Sequence, residues 1–384
     1  MYDLIAVDWQ TGARLGQVRY ATLEWHEVVT GAGDWSCTIE GHDPSVGLLL
    51  PGCTLVYVHD VDTRTILYAG IVWRVTRHSS YMADVSGSSL VSYFARRVIR
   101  TTQTWTNTEQ LAIAEALVTA MQAIGGGTLR LSIVRKPTNS GVTRTVTYAA
   151  SELVTYADAL DKLAQLDGGF EYGIRAAWAG GSTITHTLTL GYPTIGADLP
   201  LVWAEGVDVM IDQTEDDRTD YATWWRARGG GADVSAPTVD IGPSTQPVTP
   251  RSFPVLETAQ TYSEVTTTAL LTARGTADQR ASHVETMNLG LVAARPRWPP
   301  GSWHVGDSVR IVCPPPCPVG LDGATWWRIG GYTASIDEDG QLVVTLDVDR
   351  ARNNSRPVLR PIDRLAGVRA DTQRRLAVVE NLKS

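Results

Sequence analysis

From Leu4 to Val75 the chain runs in short stretches rich in strand formers, some of them alternating apolar and polar with a period of two, separated by turns. That period of two is the pattern of strands, whose successive side chains face opposite sides of a sheet. Leu4, Ala6 and Asp8 open it, with a turn at Thr11-Gly12-Ala13, and Val18 to Val29 is rich in strand formers. Trp35-Ser36-Cys37-Thr38-Ile39-Glu40 alternates after the turn Gly31-Ala32-Gly33-Asp34. Leu55-Val56-Tyr57-Val58 and Ile66 to Val75 follow. Short strands at this spacing point to a small barrel or sandwich.

The pattern changes after residue 100. Thr106-Asn107-Thr108-Glu109 has the spacing of a capping box, and Leu111, Ala114, Leu117, Val118, Met121 and Ile124 follow at helical spacing. Gly125-Gly126-Gly127 ends that helix. A second helix is expected from about Ser151 to Leu166, with Tyr156, Ala159, Leu160 and Leu163 on one face and Gly168-Gly169 at its end. Phe170 to Arg175 reads as a strand, and Gly180-Gly181 as a hairpin turn into Thr183–Leu190. Strand patterns return at Val207, Val209 and Ile211, and at Tyr221 to Arg228. Five prolines between 236 and 256 predict a surface loop. A third helix is expected over about Ser263 to Ala281, then strands over Glu285–Val292, Gly306–Val312, Trp326–Ile336 and Gln341–Val348, with a turn at Asp339-Gly340.

Composition excludes several classes. The 384 residues carry 33 Lys+Arg against 41 Asp+Glu, a net charge of −8, where a general nucleic-acid binder needs a basic excess. Sequence-specific nucleic-acid binding is not expected. No apolar run reaches the roughly 18 residues of a membrane span, and the first residues lack the pattern of a signal peptide, so a soluble protein not exported by its own sequence is expected. Lysine occurs only at 136, 162 and 383, which suggests a GC-rich genome. There are 13 Trp and only 3 Phe, and tryptophan favours half-wet interfaces.

The search for chemistry is negative. His283-Val284-Glu285 with Pro316-Cys317 is similar to a zinc-deaminase signature, but no second Cys follows Cys317 at the required spacing. Cys313 and Cys317 bracket three prolines and supply at most half a zinc site, against a rigid loop with free thiols or a disulfide. Asp212, Glu215, Asp216, Asp217 and Asp220 lack the Gly and Glu positions of a calcium loop and read as a solvated turn. Hydrolase, metalloprotease and phosphate-loop motifs are absent. No catalytic residue, cofactor or metal is expected. In Trp224-Trp225 and Trp326-Trp327 adjacent side chains must face opposite ways, so one of each pair belongs to a core and the other to an interface.

Three stretches carry a resemblance. Asp220-Tyr221-Ala222 with Ala227-Arg228-Gly229 resembles the strand that closes a first hub barrel. Gly169-Phe170-Glu171-Tyr172 resembles the helix-to-strand step of an α/β domain, and Val305-Gly306-Asp307-Ser308-Val309-Arg310-Ile311 with Trp326-Trp327-Arg328-Ile329 resembles a second barrel. In this order they look like the tail-hub, or baseplate-hub, proteins of long-tailed bacteriophages, the minor tail proteins of actinobacteriophages among them. The resemblance implies an α+β, β-dominated fold of two small β-barrel domains with an inserted α/β domain and a C-terminal helix. The implied domains are a first barrel at 1–100 plus 206–235, an α/β domain at 101–205 plus about 257–295, a second barrel at 296–357, a Pro-rich loop at 236–256 and a helix at 358–384.

It also implies a non-enzymatic virion protein at the tail tip, assembled in the host cytoplasm. Such a hub is a homotrimer that joins the tail tube and distal tail protein to tip or fibre proteins. Tape measure protein and DNA pass through its channel. Within the C-terminal helix, Leu365, Val368, Thr372, Leu376, Val379 and Leu382 form an imperfect a/d-like stripe, and these are the expected oligomer or partner contacts. The alternative, motivated by the tryptophans, is a tail-tip module that binds or hydrolyses host cell-wall glycan.

Overall fold

The computed structural model describes residues 1–349 apart from 80, 126–127, 181–182, 218, 220, 232–235, 243–253, 264, 283, 292–296, 315–322 and 337–339. Residues 350–384, with the six candidate contacts from Leu365 to Leu382, lie outside the described residues.

Strands β1 (Tyr2–Asp8), β2 (Arg14–Val18), β3 (Thr22–Val28), β4 (Asp34–Glu40), β5 (Thr54–Asp60), β6 (Thr65–Arg77) and β7 (Met82–Ser89) open the chain. Strand β8 (Gln103–Glu109) leads into helix α1 (Gln110–Ala123). Strands β9 (Leu131–Lys136) and β10 (Thr143–Tyr148) precede helix α2 (Tyr156–Ala164). After it come β11 (Glu171–Trp178), β12 (Ile184–Gly191), β13 (Asp198–Ala204), β14 (Val209–Asp217), β15 (Trp224–Gly229), β16 (Thr238–Ile241) and β17 (Glu257–Tyr262). Helix α3 (Thr268–Ala281), β18 (Val284–Leu291), β19 (Ser308–Cys313), β20 (Gly323–Ile336) and β21 (Leu342–Asp349) complete the described elements.

The molecule is β-dominated, and thirteen strands belong to one sheet. Its main path runs β14-β18-β21-β20-β3-β4-β7-β6-β5-β1-β2, with β19 and then β13 branching from β20. Strand β20 makes the connection. Residues 323–328 pair with β19 and residues 331–336 with β3, while β21 pairs along residues 328–336. A bulge between Ile329 and Gly331 falls where one neighbour gives way to the other, and bulges bend strands in this way. Among the described residues the pairing runs open at β2, β13 and β14, and no closed barrel forms.

Two cores share this sheet. Leu4, Ala6, Val56, Val58 and Val72 face one, and Ile5, Val7, Leu55, Tyr57 and Ile71 face the other. Burial on both faces explains why these strands read as nearly unbroken apolar runs. The second core is completed by Leu117 and Val118 of α1, Leu160 and Leu163 of α2, and Leu188 and Leu190 of β12. Here β12 pairs antiparallel with β11 and parallel with β9. A small third core of Ala227, Tyr262 and Leu271 lies between α3 and the three-stranded sheet β16-β15-β17.

Several local expectations shift. Helix α1 starts later than the capping box suggests, because Glu109 ends a strand and its own carboxylate caps the N–H groups of Leu111 and Ala112. Helix α2 is capped by Thr155, which accepts from Asp158 N–H at 3.0 Å. The acidic stretch 212–217 is strand, not turn, since β14 continues to Asp217 against β18. The tryptophans are core before they are interface: Trp25, Trp203 and Trp303 are among the largest fully buried side chains. With so few phenylalanines, tryptophan and tyrosine supply most of the large aromatic side chains in the core. Most of the indole N–H groups find acceptors: Trp25 donates to Tyr332 Oη at 3.2 Å, Trp35 to the Ile71 carbonyl at 3.2 Å and Trp303 to the Trp298 carbonyl at 2.9 Å.

Candidate functional site

A buried polar cluster lies where β11 (part of the α/β unit of α1, α2, β9, β11 and β12), the chain between β12 and β13, and the start of β19 meet β20. Glu171 is the first residue of β11, reached from the end of α2 at Ala164 through Gly168-Gly169. It is 0% exposed and forms an ion pair with Arg328 of β20, itself 3% exposed. Arg328 Nε also donates to the Gly306 carbonyl at 3.2 Å. The second Glu171 oxygen accepts the Ile195 N–H at 3.0 Å. Asp307 accepts N–H bonds from Ala197 and His304, both at 2.9 Å.

Two glycines let the segments approach. A Cβ on Gly196 would lie 2.0 Å from the Gly306 carbonyl carbon, and Gly306 has φ of +93°, a backbone region that side chains disfavour. Ser308 N–H then donates to the Ala197 carbonyl at 2.9 Å, and Ile329 N–H to the Asp307 carbonyl at 2.8 Å.

The electrostatics follow from burial. Desolvation pushes the Glu171 carboxyl up, the Arg328 guanidinium opposes it, and Asp349 adds to the upward push. At Asp307 burial also pushes up, but hydrogen bonds from His304 and the Ala197 N–H outweigh it and hold the carboxyl below its usual range. A small cleft opens beside the cluster, lined by Glu27, Lys136, Arg175, Ile195 and Val305 among others. Burial raises the Glu27 carboxyl there.

This arrangement fixes segments rather than activating a nucleophile. Among the described residues no group of three His, Cys, Asp or Glu is placed to hold a metal ion. Cys313 is disulfide-bonded, so its sulfur is not a thiolate ligand; Cys317 lies outside the described residues. Of the paired tryptophans, Trp327 is buried and Trp326 half-buried, with the Arg310 guanidinium 6.0 Å from the Trp326 ring centre. Trp224 is 39% exposed, and Trp225 packs on the third core. The two members of each pair therefore differ in burial, as alternation requires.

Two of the three stretches that carried the resemblance meet in this cluster. Glu171, Gly306-Asp307 and Arg328 come from sequence positions far apart and end in hydrogen-bond contact. The third stretch sits elsewhere, with Ala227 in the core under α3. The partners Ile195, Gly196 and Ala197 had no sequence signal beyond a Gly near a Pro.

No family model and no curated protein sequence matches this chain. Solved structures do. A prophage MuSo2 43 kDa tail protein from Shewanella oneidensis superposes with a TM-score of 0.60 at 12% identity, covering 91% of this chain and 98% of its own. A tail protein from Neisseria meningitidis MC58 gives 0.57 at 13% identity, covering 94% and 99%. The Escherichia coli c3393 protein is described as a type VI secretion component similar to the T4 tail proteins gp27 and gp5. It gives 0.52 at 12% identity, covering 90% and 77%. The fold of this chain is therefore shared, over nearly its whole length, with phage tail proteins.

Proposed function

We propose that this chain is a structural protein of a bacteriophage tail, the hub at the distal end of a long, non-contractile tail. One observation carries the reading: the likeness to two tail proteins takes in more than nine-tenths of this chain and almost all of each of theirs. The E. coli neighbour adds the comparison to gp27 and gp5. In this reading the protein is a homotrimer that joins the tail tube and distal tail protein to tip or fibre proteins. The two parts of the large sheet on either side of the β3–β20 pairing serve as the two barrel-like units that each copy contributes to a ring. Tape measure protein and DNA pass through the centre. A net charge of −8 suits a channel that DNA must cross without sticking, since it offers little phosphate attraction. Arginine in place of lysine agrees with a phage of GC-rich actinobacteria. Expected contacts beyond the described residues are Leu365 to Leu382.

The test is the mass of the purified full chain by sedimentation over a wide range of concentration, with electron microscopy of the same sample. The expected result is a species of three times 41.6 kDa that images as a threefold ring. A compact monomer at every concentration, with no ring, would remove the self-assembling hub.

A further inference from the structure

Resting on the self-assembly just proposed, we infer that copies join head to tail through two opposite edges of the large sheet, β2 of one copy against β14 of the next. Among the described residues the only strand paired with β2 is β1 and the only strand paired with β14 is β18, at the two ends of the strand path, with Val209 of β14 also bridged to Glu205. Open edges of this kind are templates for pairing unless they are blunted. The third open edge, β13, is blunted by Pro200, which has no N–H to give. On β2 the short helix Pro44–Leu48 packs alongside, with the Leu48 side chain against Gly16 and Ser45 Oγ accepting the Arg19 N–H at 3.4 Å, while Arg14 and Leu15 at the start of the strand stay exposed. On β14 the preceding turn occupies the start of the edge, where Gly206 N–H donates to the Val209 carbonyl at 2.8 Å and the Glu205 carboxylate accepts the Ile211 N–H at 2.9 Å, leaving the edge from Asp212 onward.

The side chains select a second copy as the occupant. The β2 edge exposes Arg14 and Leu15, with Arg19 just beyond it. The β14 edge exposes Met210, Asp212 and Glu215. One edge offers an apolar residue beside two cations and the other an apolar residue beside two carboxylates, both on the same chain. A complementary pair of this kind forms a heterologous contact, which closes into a ring when the rotation between copies permits. Joining the edges also removes the exposed strand ends.

The experiment compares sedimentation of the full-length chain with two double variants and their combination. One is Arg14→Glu/Arg19→Glu, the other Asp212→Lys/Glu215→Lys. Circular dichroism confirms that each is folded, as expected for exposed positions. Either reversal alone should weaken assembly at least about tenfold through like-charge contact, and combining them should restore most of it. Hydrogen exchange gives a readout that needs no variant: amides of Arg14–Val18 and Val209–Glu215 should slow on assembly. If the natural chain assembles while both reversals assemble unchanged and neither edge gains protection, the edge pairing is wrong and the hub reading stands. If the natural chain never assembles, both fall together.

Discussion

The α/β unit is held to the large sheet on two sides by different chemistry. Across β1, β5 and β6 the contact is apolar: Ile5, Val7, Leu55 and Ile71 pack against α1, α2 and β12. A buried polar insertion there is Tyr57, whose hydroxyl lies 2.8 Å from His186 Nε2, while His186 Nδ1 lies 2.7 Å from the Leu129 carbonyl. Near β20 the contact is ionic, Glu171 on Arg328, with backbone groups of 195–197 and 304–307 completing it. An apolar contact is non-directional and tolerates small shifts. The ionic one has few acceptable geometries, so it fixes orientation more than it adds stability. In the proposed hub, which would hold neighbours in place, orientation is the property that counts.

Breaking the ionic side should have the largest effect. Arg328→Met leaves Glu171 buried without its cation and should cost about 3–5 kcal/mol in denaturant unfolding. Adding Glu171→Leu should recover most of that, though not all, because Asp349 is buried beside the pair. A double variant no better than the single one would mean that the pair is not the dominant interaction there.

The apolar side comes next. Leu4→Ala and Ile5→Ala change neighbours on one strand that face different cores. Each should cost about 2–5 kcal/mol, whereas Ser36→Ala on the solvent face of β4 should stay within about 0.5 kcal/mol. If either β1 variant matched the Ser36 variant, the layer would have only one buried face.

The smallest effect sharpens the comparison inside the α/β unit. Burial raises the Asp161 carboxyl from 3.8 to about 6, against the hydrogen bond it accepts from Tyr172 and with help from Asp158. The native state holds that proton over a range where the unfolded chain has released it. Stability from this group is therefore complete below about pH 4 and lost as pH rises through 6. Asp161→Asn should remove that slope and raise stability above pH 7 by about 1–2 kcal/mol. An unchanged slope between pH 4 and 6 would place the titration elsewhere.

Much of the local structure was legible. Helices near residues 110 and 156 followed from apolar spacing of 3.6, and strands such as Trp35–Glu40 from spacing of two; the third helix, expected from about Ser263, starts at Thr268. Boundaries were less so: Glu109 serves β8 and α1 at once, and a capping rule read on sequence assigns it to the helix alone. The acidic run 212–217 was misread because charge suggests solvent, while an edge strand such as β14 accommodates both.

The sequence by itself determined which segments are strands or helices and which faces are apolar, because those depend on periodicity and neighbours along the chain. It also set the acidic composition. Only the tertiary structure decided that β20 carries β3 on the same sheet, that β1, β5 and β6 serve two cores, and that Glu171 meets Arg328. Strands β3 and β20, like Glu171 and Arg328, are separated by more than a hundred residues, and nothing local marks a residue's partner across such a distance. The choice is made by the joint packing of whole sheets, where burying a charge without its partner costs more than any local preference can offset.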